Sequence, residues 1–169
     1  MVTKGVWKLT GNKAKQSYKG SDKVRDVMTT DVDTVNPSTK AGEAARQMRD
    51  ANVGSLPVVD RQELVGIVTD RDITIRVAAD GISADDVMVK EVMTADPVTV
   101  RPDQTIDEAS AVMSQHQVRR LPVVEGHKLV GILALGDVAV DPSSQDEAGE
   151  ALTGISQPSE MDRSIQNEA

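Results

Sequence analysis

Cysteine and phenylalanine are absent from this chain, and the only aromatic side chains are Trp7 and Tyr18. Without cysteine there is no disulfide, no thiolate metal site and no thiol nucleophile. With both aromatics near the start, a core must be built from Val, Ile, Leu, Met and Ala. Apolar residues make up 38% of the 169 positions, which suits one compact domain of ordinary size. Long hydrophobic runs are missing too. No stretch approaches the roughly 20 apolar residues that a membrane-spanning helix needs. Residues 1–20 are polar and basic, without the apolar centre of a secretory leader. A cytoplasmic address, with no membrane partner, is the expectation.

Other absences narrow the chemistry. His116 and His127 are the only histidines. One falls near a helix end and the other in a turn, so no metal site is expected. The chain has no Gly-Lys-Ser/Thr phosphate loop. Gly54-Ser55 lacks a histidine in the context of a nucleophile elbow. With no acid–base pair or nucleophile constellation, catalytic residues are not expected and the protein does not read as an enzyme.

Charge is present but uneven. The net charge is −8, yet Lys4, Lys8, Lys13, Lys15 and Lys19 crowd the first 22 residues, where Asp22 is the only acid. The tail from Asp141 to Ala169 carries seven acids against Arg163. A basic arm can touch nucleic acid. A solvated terminus is the plainer expectation, and nucleic acid is not expected as a partner.

The strongest signal is a repeat at an offset of 65 residues. Val27-Met28-Thr29 recurs as Val92-Met93-Thr94, Thr34-Val35 as Thr99-Val100, and Pro37 as Pro102. Leu56-Pro57-Val58-Val59 recurs as Leu121-Pro122-Val123-Val124, Leu64-Val65-Gly66-Ile67 as Leu129-Val130-Gly131-Ile132, and Asp72 as Asp137. From Val27 to Ile73 no gap is needed, and about 20 of 47 positions are identical.

Each repeat reads as strand, helix, strand, strand, helix. An extended piece (Val32 to Val35; Val98 to Val100) ends at a proline turn. A helix follows over about 40–52, with Ala41, Ala44, Ala45 and Met48 at helical spacing, and its counterpart runs over 105–115. Two short strands come next, 56–60 and 64–69, joined by a tight polar turn. Ile73, Val77 and Ala78 mark a closing helix that Gly81 ends. A parallel right-handed crossover followed by a hairpin accounts for this order. Each unit leaves one sheet face uncovered, which gives the duplication a physical purpose. Past the second repeat, Ser144-Gln145-Asp146-Glu147 has the pattern of a capping box. Ala148, Ala151, Leu152 and Ile155 then predict a short amphipathic helix.

These motifs resemble the CBS-domain family, whose paired repeats are called Bateman modules, and in particular its small stand-alone bacterial members. The resemblance covers about residues 23–140. It implies an α/β fold of two tandem CBS repeats, β-α-β-β-α each, packed with pseudo-two-fold symmetry. The divisions expected are a basic arm over 1–22, repeats over 23–82 and 83–140, and an acidic tail with a short helix over 141–169. Family members commonly bind AMP, ADP, ATP, NAD or S-adenosylmethionine between the repeats. The resemblance thus implies a regulatory sensor of an adenosine-type ligand, with no required cofactor, homodimeric, acting on an effector protein. The other reading is a structural or interaction dimer with vestigial ligand sites.

The residues can be read physically as well. Thr69 ends a strand and Asp72 sits in the first turn of the next helix, where free backbone N–H groups suit a phosphate. The Thr69 hydroxyl can donate to phosphate, and the Asp72 carboxylate can accept from two ribose hydroxyls. The same pair also fits a helix capping box. By resemblance, Thr34, Val35, Ser55, Leu56 and Pro57 line the adenine side, mainly through backbone groups and apolar contact. In the second repeat Thr99, Val100, Leu121 and Pro122 match, and Asp137 keeps the ribose-type acid. Ala134 replaces Thr69 there and removes one donor, an absence that Arg119 and Arg120 partly offset as phosphate partners.

Overall fold

The structure is a computed structural model of the chain, and it describes residues 23–140 and 145–157. Helix α1 (Val24–Val27) opens it, followed by α2 (Ala41–Ala51) and the hairpin β1 (Ser55–Asp60) and β2 (Glu63–Thr69). Helix α3 (Asp70–Ile73) runs on into a π-helical turn, Thr74–Ala78. The second repeat supplies α4 (Val89–Val92), β3 (Thr94–Ala95), α5 (Ile106–His116), the hairpin β4 (Arg120–Glu125) and β5 (Lys128–Ala134), and α6 (Leu135–Val140). Helix α7 (Gln145–Ile155) closes the described chain.

The tandem α/β architecture and its 65-residue equivalence are as the sequence predicts. Helix α5 begins where Thr105 caps it: Glu108 N–H donates to Thr105 Oγ1 at 3.1 Å, and Thr105 N–H donates back to Glu108 at 2.9 Å. Helices α2 and α5 both end on a left-handed residue, Asn52 and Gln117, which satisfies the last carbonyls. Both hairpins are antiparallel, with a bulge between Val58 and Val59 and its counterpart between Val123 and Val124. The extended pieces before α2 and α5 shorten to single parallel bridges, Val35 to Val58 and Val100 to Val123. These preserve the parallel crossover, but the pieces are too short and too near the sheet edge to become full strands.

One feature of the pairing is not visible in the repeat pattern. The lead of each repeat joins the other repeat's sheet. Thr29 pairs with Ile132, while β3 pairs with Gly66 and Ile67 of β2. The cores follow the same exchange. Val24 packs with Val100, Ile106, Met113, Leu121 and Val138, whereas Val89 and Val92 pack with Val35, Met48, Leu56 and Val68. The two hairpins also meet end to end, Glu63 opposite Lys128, with Leu64 N–H donating to His127 O at 2.9 Å. Ala148 and Ala151 of α7 are buried in the second core, so this helix docks on α5 and α6.

Candidate ligand cleft between the repeats

The Thr69–Asp72 pair forms a complete capping box. Asp72 N–H donates to Thr69 Oγ1 at 3.0 Å. Asp72 Oδ2 accepts from Thr69 N–H at 3.0 Å and from the Thr69 hydroxyl at 2.7 Å. The hydroxyl proposed for phosphate is therefore already donating, and it must turn to reach a ligand. In the second repeat only half of the box survives: Ala134 N–H donates to Asp137 at 3.1 Å, and no hydroxyl replies.

Arg76, which the sequence reading passed over, completes the Asp72 environment. Its guanidinium stands 3.4 Å from Asp72 Oδ1. The same guanidinium donates to Val92 O at 2.7 Å and to Met93 O at 3.3 Å, at the end of α4. Arg76 thus ties the acid of the first repeat to the exchanged lead of the second. The four-residue spacing from Asp72 was the available signal.

Ser55, Thr69 and Asp72 line one side of a cleft of about 380 Å³, and Arg119, Arg120 and Pro122 line the other. Asp96, Pro97, Val98 and His116 also line it. Asp96 has a left-handed backbone, φ 47°, in which aspartate is better tolerated than most residues. Six sequence-predicted site residues thus come together. The arginines of the second repeat share a cleft with the acid of the first.

The remaining predicted residues lie elsewhere. Leu56, Leu121, Val35 and Val100 are core side chains. Both backbone groups of Val35 are engaged: its N–H donates to Pro57 O at 3.0 Å, and its carbonyl accepts from Val59 N–H at 2.9 Å. Val100 is held likewise by Pro122 and Val124. Pro57 is buried in β1. Thr34 lines a separate cavity of about 210 Å³ with Val59, Gln62 and Gly131, and Thr99 is exposed. Among the described residues no group of three or more His, Asp or Glu is placed to hold a metal ion, and no helix is long and apolar enough to cross a membrane.

Paired β-α-β-β-α units with a cleft at their junction define a tandem-repeat module of the Bateman type. Residues 24–79 and 89–140 each match the CBS domain, and the chain belongs to the CBS-domain family. It is 48% identical over 133 residues to the CBS domain-containing protein YhcV of Bacillus subtilis, covering 79% of this chain and 94% of that one. Among solved structures it is similar to Hypoxic Response Protein I with two coordinated zinc ions: 36% identity, TM-score 0.66, 71% of this chain and 98% of the other. It is also similar to the CBS domain pair of protein MJ0100 in complex with 5′-methylthioadenosine and S-adenosyl-L-methionine. There the identity is 28% and the TM-score 0.64, over 71% of this chain and 94% of the other.

Proposed function

We propose that the chain is a regulatory module that binds an adenosine-containing nucleotide in the Thr69–Asp72 cleft. The observation that carries this reading is the convergence there of the Asp72 carboxylate, an acceptor only, with two arginines, Arg119 and Arg120. Ribose hydroxyls suit the carboxylate and phosphate suits the guanidiniums. The adenosine compounds in the MJ0100 complex support the ligand class. The module acts without catalysis in the cytoplasm, as a homodimer, and passes its state to an effector protein.

The second-repeat site at Asp137 is the weaker one, because Ala134 supplies no hydroxyl. Calorimetric titration with AMP is expected to show Asp72→Ala losing more affinity than Asp137→Ala; equal losses would remove the ranking. The function itself is tested by melting ligand-free protein with AMP, ADP, ATP, NAD, S-adenosylmethionine, adenosine and GMP. A ligand at about 100 times its dissociation constant stabilises the native state by about 2.7 kcal/mol, a shift of several degrees for a chain of this size. Adenosine phosphates should shift melting more than GMP. An identical melting temperature with every compound overturns the reading.

A further inference from the structure

We propose that Arg76 is a positioning residue of the nucleotide cleft: it orients Asp72 for the ribose and seats the lead of the second repeat opposite that acid. This role rests on nucleotide binding in the Thr69–Asp72 cleft. Arg76 stands on the π-helical turn that continues α3, four residues after Asp72. A plain exposed pair at that spacing would be worth little. This guanidinium, however, is divided between two tasks. Nη2 faces Asp72 Oδ1 at 3.4 Å, while Nη1 donates to Val92 O at 2.7 Å and to Met93 O at 3.3 Å.

The Asp72 side chain is only 15% exposed, and its two oxygens are used unequally. Oδ2 accepts twice from Thr69, from the N–H and from the hydroxyl. Among the described residues Oδ1 meets only Arg76, at a distance longer than the roughly 2.7–2.9 Å of a charge-assisted hydrogen bond. A carboxylate oxygen has two lone pairs to offer, so Oδ1 keeps room for a ribose hydroxyl. The cap holds one side of the carboxylate and Arg76 holds the other, which presents Oδ1 in one orientation. A group already held in place loses less freedom when a ligand binds.

The other half of the fork acts on the lead. Val92 ends α4 and Met93 follows it, so both carbonyls lie at a helix end, where the helix itself has no donor left for them. The next residue, Thr94, lines the cleft, and Asp96, Pro97 and Val98 continue that lining. This stretch has few other anchors. Strand β3 pairs with β2 at two positions, and Asp96 N–H reaches Val65 O at 3.4 Å. The seat that Arg76 provides therefore sets where the lead enters the cleft. The repeat does not copy the residue: 65 positions on stands Asp141, whose side chain has no N–H to offer a carbonyl. Arg76 belongs to the Asp72 cleft and not to the pattern that both repeats share.

The test is calorimetric titration of the full chain with AMP and with 2′,3′-dideoxy-AMP, in the unsubstituted protein, Arg76→Met and Arg76→Lys. The unsubstituted protein should prefer AMP by about tenfold or more, the worth of a hydrogen bond to a charged acceptor. Arg76→Met should cut that preference several-fold. Arg76→Lys keeps the charge but has one nitrogen for both tasks, and should restore part of it. A loss of folded protein alone would weaken both nucleotides equally and leave the preference unchanged. In ligand-free protein, amide hydrogen exchange at Met93 and Asp96 should be several-fold faster in Arg76→Met, while exchange at Met28 and Thr29 in the other lead stays the same. An equal preference in the three proteins, or unaltered exchange at Met93 and Asp96, overturns the role of Arg76 while nucleotide binding stands. No binding of AMP by the unsubstituted protein overturns nucleotide binding and this role with it.

Discussion

Thr69 and Ala134 occupy equivalent positions and show what one hydroxyl does. At Thr69 the box is closed in both directions, whereas at Ala134 it is open. Replacing Thr69 with Val keeps the shape and removes the cap. It should cost about 1 kcal/mol, lowering the melting temperature by about 2–4 °C. Ala134→Thr should recover a similar amount, since Asp137 already holds its half of the box. If Thr69 also serves phosphate, Thr69→Val reduces the thermal shift with AMP more than the shift with adenosine. Equal reductions would leave the residue with capping alone. The box was readable from Thr-x-x-Asp, because N-capping depends on neighbours three residues apart. The bonds from Arg76 to Val92 and Met93 were not, because they depend on where a distant element lies.

At the scale of elements, Gly66 and Gly131 sit mid-strand, a position that ordinarily weakens a strand. The exchanged leads explain them. A Cβ at Gly66 would stand 2.6 Å from Met93 Sδ and 3.0 Å from Thr94 O; at Gly131 it would stand 2.7 Å from Met28 Sδ and 2.9 Å from Thr29 O. The repeated Met-Thr and the repeated glycine are two halves of one contact, each formed across the repeats. Gly66→Ala should cost about 1–3 kcal/mol by overpacking, visible as a lower midpoint in urea, and Met93→Ala in the same chain should return only part of it because Thr94 O is backbone. The hairpin turns differ more. Arg61 and Gln62 both have positive φ, 48° and 75°, whereas the equivalent turn uses Gly126 at 64°. Gln62→Gly should stabilise the chain by about 0.5–1 kcal/mol, read by the same denaturation. The hairpins and long helices were legible because period and turn chemistry are local. The destination of the leads was not, since a two-residue strand has no periodicity of its own and its pairing is decided through space.

For the whole molecule, the proposed dimer has a physical candidate surface. Ile75 on the π-helical turn and Ile82 just beyond it are 51% and 47% exposed. Light scattering is expected to give twice the chain mass at micromolar concentration, and Ile75→Asp is expected to give a single-chain mass with AMP binding retained. A monomer for the unsubstituted protein would remove the dimer. At this scale the repeat pattern foretold two units, and the family resemblance implied a cleft between them. The pattern's two-fold regularity hid that Arg119 and Arg120 share a cleft with Asp72, because identity at equivalent positions says nothing about which repeat reaches across.

The exchange of leads also bears on how the chain can acquire its structure. Val24 is among the first core residues to be made, yet it finishes a core that also needs Val138. The first core lacks Val89 and Val92 until the second repeat has begun. The first core therefore cannot close until the lead of the second repeat is made, and only the second core waits for the two ends of the repeat region to meet. For the second core, that places a long loop closure, with its entropy cost, ahead of its burial. A ribosome-bound chain halted near residue 82 should therefore stay sensitive to protease over its first repeat, and protection there should arrive once Val89 and Val92 have emerged.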